Sequence, residues 1–253
     1  MQQLEKPTFI IIAILTWLFL FPSAQAATAV DHGLYAQLLS RHVHNGRVDY
    51  RGFKTDEAVL DRYLQQLADV DPAALVPREA MAFYINLYNA WTVKLILGKY
   101  PDLKSIKDLG SLFRSPWKKN LVRLNGQTVT LDHIEHEILR PRYKDPRIHF
   151  AVNCASRSCP ALAPFAYAGD RLDQQLDTVT AAFLNDPDSN YFREGTLYVS
   201  QIFKWYGEDF NHDVVGFFRK YAREGLKEGL DNHKTDLRVT FLDYDWSLNS
   251  VEN

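Results

Sequence analysis

Cysteine is scarce in this chain of 253 residues: there are two, Cys154 and Cys159. That count excludes a disulfide-dense scaffold and a four-cysteine zinc knot. A charge excess of one sign is also lacking. Lys and Arg number 29, Asp and Glu 31, and the formal charge is −2. With no basic face to expect, nothing asks for nucleic acid as a partner. The 8 histidines are scattered, and none pairs at zinc spacing with a third ligand nearby, so no metal is called for. There is no Gly-rich phosphate loop and no G-x-S-x-G elbow, hence no cofactor signature. Internal repeats and low-complexity stretches are absent too. Beyond the N-terminus no apolar run approaches the roughly 20 residues of a membrane span.

What is present starts with an export signal. Lys6 precedes a nearly unbroken apolar run from Phe9 to Phe21; Pro22 ends it, and Ala24-Gln25-Ala26 supplies a small-x-small cleavage pattern. A run of about 13 residues is too short to span a bilayer, and the layout is that of a secretory signal peptide. We therefore expect residues 1–26 to be a signal peptide, residues 27–253 to be a single globular domain without a transmembrane segment, and the location to be periplasmic; an uncleaved anchor is the alternative. Apolar and charged fractions of 46% and 24% suit a protein with a sizeable core. Two cysteines in an exported chain are either a short disulfide or a working thiol, and sequence leaves both open.

Periodicity gives the elements. Apolar spacing predicts a short opening helix at 34–39 and another at 57–68, broken by Asp71-Pro72. Residues 77–97 form the strongest helix, with Pro77 in its first turn and Gly98 placed to end it. It is apolar almost all the way round, the mark of a buried helix. Asn45-Gly46 is a turn, and Asn125-Gly126 predicts a hairpin within 121–131. A short helix is expected over 132–140, stopped by Pro141, then a strand over 148–153. Helices at 172–184 and 214–222 follow, with strands at 197–199 and 236–242 and a turn after Ser200. The class is α+β: a central buried helix packed against a small, largely antiparallel sheet with surrounding helices.

Polar residues at apolar positions mark the candidate site. Asn86 and Asn89 share one face of the central helix, where buried amides must find partners or cost roughly 1–3 kcal/mol. They either tie loops to the helix or position a ligand. Glu135 falls inside the apolar stripe of its helix, between Ile138 and Leu139. It either completes a capping box with Asp132 or orients something in the site. His136 falls on the wetter side. In a regular strand His149 and Asn153 share one face and Cys154 the other, so His149 and Cys154 are not expected to meet directly. Ala155, Ser156, Arg157 and Ser158 follow as a polar loop with one cation, suited to lowering a thiol pKa.

Several segments resemble a catalogued family. They are Phe83-Tyr84-Ile85-Asn86-Leu87-Tyr88-Asn89-Ala90, Ile134-Glu135, and His149-Phe150-Ala151-Val152-Asn153-Cys154-Ala155-Ser156 with Cys159-Pro160. Ile202-Phe203-Lys204-Trp205-Tyr206 with Asp209-Phe210, and Tyr244-Asp245-Trp246-Ser247-Leu248-Asn249, continue the likeness. Together they resemble the domain of unknown function 547, a module of exported bacterial proteins shared with plant multidomain proteins. The resemblance implies no established reaction and carries over no residue roles.

Two function classes remain. One is a thiol-dependent hydrolase or transferase acting on peptide or acyl groups. In it Cys154 is the nucleophile, His149 or His136 the base, and Glu135 or Asn89 the orienting group, with Asn86, Asn153, Ser156 and Arg157 around the ligand. The other is a non-catalytic binding or scaffold domain with a Cys154–Cys159 disulfide, in which Trp205, Tyr206, Tyr244 and Trp246 are core or a ligand wall. A dithiol redox role is a third possibility, although four residues rather than two separate the cysteines.

Overall fold

The structure is a computed structural model that describes residues 29–111, 114–233 and 237–251. The signal-peptide stretch lies outside the described residues. Within them no helix is long and apolar enough to cross a membrane.

The chain runs α1 (Gly33–His42), β1 (Val43–His44), β2 (Arg47–Val48), α2 (Tyr50–Thr55), α3 (Glu57–Ala68), α4 (Pro77–Leu97), β3 (Val122–Leu124), β4 (Gln127–Val129), α5 (Leu131–His133), α6 (Arg140–Tyr143), α7 (Ile148–Ala151), α8 (Leu172–Leu184), β5 (Tyr191–Arg193), β6 (Thr196–Val199), α9 (Ile202–Trp205), α10 (Val214–Tyr221), α11 (Glu224–Asn232) and β7 (Arg238–Phe241). The class is α+β, with small, mostly antiparallel sheets.

As expected, α4 is the centre. Pro77 sits in its first turn, and Gly98 closes it by donating its N–H to the Lys94 carbonyl. Sixteen of its 21 residues are buried, which is possible only because other elements cover every side. Leu38, Leu64, Leu131, Ile134 and Leu176 from surrounding helices pack with Phe83, Ile85 and Leu87 in one core. Each such fully buried side chain contributes about 1.5–3 kcal/mol of apolar transfer.

The strands fall into three small sheets. β1–β2 and β3–β4 are hairpins whose turns, Asn45-Gly46 and Asn125-Gly126, have positive φ at both positions, the twist a two-residue hairpin needs. β5, β6 and β7 make the third, antiparallel between Tyr191 and Tyr198 and parallel between Leu197 and Val239. Its inner residues Leu197 and Val199 belong to a second core, built from Phe150, Phe183, Phe203, Phe210, Phe217 and Phe218. The third sheet thus covers a phenylalanine cluster, while helices α2, α3, α5 and α8 surround α4.

Two local expectations are corrected. Residues 148–151 are a helical turn, α7, rather than a strand. A short apolar run does not distinguish a strand from a buried helical turn by periodicity. Here burial on all sides decides: Ile148, Ala151 and Val152 pack in the first core while Phe150 enters the second. Nor does Pro141 stop its helix. Ile134–Leu139 is a π-helical turn joining α5 to α6, and the helix continues through Pro141 to Tyr143. A π-turn widens the hydrogen-bond ladder just where proline withholds a donor.

Candidate functional site

α4 clamps two loops with its buried amides. Asn86 exchanges both its amide bonds with the Tyr167 backbone, donating to the carbonyl at 2.8 Å and accepting from the N–H at 2.9 Å. Asn89 does the same for the turn after α7, donating to the Ala151 carbonyl and accepting from the Asn153 N–H, both at 2.8 Å. Asn153 extends the clamp. Its side chain donates to the Pro160 carbonyl at 2.7 Å and accepts from the Ala155 N–H at 2.9 Å. The chain between Cys154 and Cys159 is thereby fixed at both ends. Ala155 is held fully buried at φ +60°, a left-handed conformation that non-glycine residues adopt at a cost. The strained residue directly follows Cys154.

Both cysteines are free thiols. The Cys154 N–H donates to Cys159 Sγ at 2.9 Å. Cys154 Sγ lies 3.0 Å from Ser156 Oγ and 3.3 Å from the Tyr244 hydroxyl. The Ser156 and Tyr244 hydroxyls lie 3.0 Å from each other, so both stand beside the sulfur. Hydrogen bonds from the Cys159 thiol, then from Ser156 and Tyr244, outweigh burial and bring the Cys154 thiol down to about 7. Burial and the neighbouring thiol push Cys159 the other way, well above its ordinary value. One sulfur of the pair is poised as a thiolate and the other as its donor.

Glu135 is 7% exposed and accepts hydrogen bonds from two phenols, Tyr88 at 3.0 Å and Tyr206 at 2.7 Å. Burial, then the Glu135 charge, raises both phenols, so they remain donors. The capping box expected of Asp132 and Glu135 does not form. Thr130 is the N-cap, accepting from the His133 N–H, and that frees both acids to face the cavity.

His149 is buried and rests its ring on Tyr206, centroids 4.0 Å apart. Its Nε2 meets Asp209 Oδ2 at 2.6 Å. Arg140 grips the same carboxylate at 2.6 and 3.1 Å and reaches His136 Nδ1 at 3.0 Å. Burial pushes Asp209 up, but His149 and Arg140 together hold it far below the usual carboxylate range. An anionic Asp209 orients the imidazole through that short contact.

These groups converge on a cavity of roughly 180 Å³ lined by Cys154, Cys159, Glu135, His136, His149 and Asp132 with Tyr88, Trp117, Trp205, Tyr206, Tyr244 and Trp246. That size accommodates a small organic group. The helical form of α7 is what places His149 and Cys154 on the same cavity, against the expectation that they face apart. Glu135, Asn89, Asn153 and Cys154 come together from three distant segments. Asn86 serves a neighbouring loop instead. Ser156 supports the sulfur from behind, fully buried. Arg157 lines a second hollow with Cys159 and Phe165 and lies 4.0 Å from Asp245; it is not among the residues that line the Cys154 cavity.

Sequence reading gave no role to Asp209, Arg140 or the hydroxyl of Tyr88. Asp209 had one signal, its position three residues after the Trp205-Tyr206 pair of the resemblance. Tyr88 had the same kind of signal, its place in the segment 83–90 of the resemblance, whereas Arg140 had none and joins the site through tertiary contacts. Among the described residues no three His, Cys, Asp or Glu side chains are placed to share a metal ion.

Residues 72–184 match the family described as "Protein of unknown function, DUF547", and the chain carries that domain there. No curated protein and no solved structure matches the chain.

Proposed function

Starting from a domain whose function is unknown, we propose that the protein is a thiol-dependent hydrolase or transferase acting on acyl or peptide groups, with Cys154 as nucleophile. The observation that carries the reading is the surrounding of Cys154 Sγ: three hydrogen-bonding groups, Cys159, Ser156 and Tyr244, hold the sulfur inside a cavity that also contains a carboxylate-oriented histidine. The thiolate adds to the carbonyl carbon and forms a C–S bond. Collapse of the adduct breaks the bond to the leaving amine or alcohol, which takes a proton from His149, and a thioester remains. Water or an acceptor nucleophile, deprotonated by His149, then releases the acyl group and restores the thiolate. Asp209 bonds Nε2, so Nδ1 is the nitrogen available for proton transfer. Glu135 fixes Tyr88 and Tyr206 on the cavity wall. The signal-like residues 1–26 support a location outside the cytoplasm, where a bound acyl chain or peptide of the cell envelope is within reach.

The test is intact-mass analysis after incubation with an activated acyl ester. The expected result is one acyl adduct on Cys154, absent from Cys154→Ser protein of unchanged thermal stability. Free thiols with no adduct at any pH would sink the proposal.

The Cys154 N–H to Cys159 Sγ contact favours a second reading, a binding or scaffold domain in which the two sulfurs close a disulfide clip. Thiol labelling separates the two: the clip leaves no thiol to label, and reductant then lowers the melting temperature.

A further inference from the structure

The cavity's lining has an unequal chemistry. Asp132 and Glu135 present carboxylates, and among the described residues that line it there is no lysine or arginine. Its two imidazoles each face an acid already: His149 bonds Asp209 at 2.6 Å, and His136 lies 3.9 Å from Asp132. Arg140, behind the wall, is committed to Asp209. The Cys154 thiolate adds a further negative charge. An anionic ligand therefore finds no lysine or arginine among the lining residues, and several like charges.

The same cavity is also lined by aromatic rings. Trp246 contacts Tyr244 at 4.5 Å, Trp205 at 5.7 Å and Trp117 at 6.0 Å between ring centroids, forming one cluster of tilted, stacked and edge-on rings with π faces among them. Such faces attract cations. The molecule contains an instance: the Lys107 ammonium sits 3.7 Å from the centroid of the Trp246 ring. Trp205 is 45% exposed, unusual for a tryptophan with apolar neighbours, and it lies on the cavity's rim. Carboxylates and indoles lining one cavity suit a group that is positive, apolar along its stem and small.

We infer that the cavity selects substrates bearing an alkylammonium group, such as a lysine-like side chain, next to the acyl carbonyl that Cys154 attacks. The stem packs against the exposed Trp205 while the ammonium approaches Glu135 and Asp132. This assignment rests on the same cavity as the thiol reading and names its substrate class.

The experiment is a titration of the purified protein with n-butylammonium, n-butanol and butyrate, each separately, followed by tryptophan fluorescence. Run on Cys154→Ser protein, it is independent of thiol chemistry. The expected result is saturable binding of butylammonium at least about tenfold tighter than of butanol, equivalent to about 1.4 kcal/mol. Glu135→Gln should remove most of that preference. Trp205→Leu, a rim change that leaves the core intact, should weaken the ammonium more than the alcohol. Equal binding of butylammonium and butanol, no saturable binding of either, or a preference for butyrate would each overturn the inference. Any of those results combined with an acyl adduct on Cys154 would leave the nucleophile assignment standing.

Discussion

The two walls of the cavity come from two stretches of chain with different chemistry. Residues 88–160 contribute every carboxylate, imidazole and thiol that lines it, whereas residues 202–246 contribute Ile202 and the rings of Trp205, Tyr206, Tyr244 and Trp246. The first stretch lies inside the DUF547 match and the second outside it. Reactive groups thus sit on a clamped scaffold around α4, and the second core brings the surfaces that exclude water and orient them. Asp209 and the Tyr244 hydroxyl are the exceptions. They come from the second stretch yet act directly on His149 and Cys154.

The largest effect should follow from loosening the first wall. Asn89→Ala strands two buried backbone groups, the Ala151 carbonyl and the Asn153 N–H, at roughly 1–3 kcal/mol each. A loss of roughly 2–5 kcal/mol in chemical denaturation is expected, with lower Cys154 reactivity because the loop is released. Unchanged stability would show that the clamp is not what holds the thiol.

A smaller, rate-only effect is expected from the second stretch. Asp209→Asn removes the charge that orients His149 and should slow acylation about 10- to 100-fold. The alkylation midpoint of Cys154 should stay near its wild-type value, since Asp209 makes no hydrogen bond to the sulfur. A shift of both together would mean that the walls do not act separately.

The smallest effect concerns titration. A lowered thiol pKa means that thiolate forms as pH rises through about 7, so wild-type alkylation should rise through that pH. Tyr244→Phe deletes one of several donors to the charged form, and the midpoint should move up by less than about one pH unit. Iodoacetamide rates across pH 5–10 measure it, with about 9 as the value for an unsupported thiol.

Much of the fold was legible because it is local. The helices at 57–68, 77–97 and 172–184 follow from apolar spacing and stop signals, the hairpin at Asn125-Gly126 and the turn at Asn45-Gly46 from their dipeptides. The short elements were not. α7 is four residues of β-favouring composition, and its helical form is set by cores on either side of it. β5 turns through Glu194-Gly195, where positive φ is supplied by a glutamate that carries no turn signal.

By itself the sequence determined that α4 is central and buried, that Asn86, Asn89 and Glu135 are polar groups inside apolar surroundings, and that Cys154 begins a loop after a buried segment. Those properties depend on residues a few positions apart along the chain, where helical spacing alone sets who is inside. Only the tertiary structure decided which partners each buried group has. Glu135 receives Tyr88 and Tyr206, His149 receives Asp209, and Cys154 receives Tyr244 from 90 residues away. Such pairings cost chain entropy that the sequence pattern does not encode locally, and they form because the two cores, in packing together, bury polar groups that must find one another.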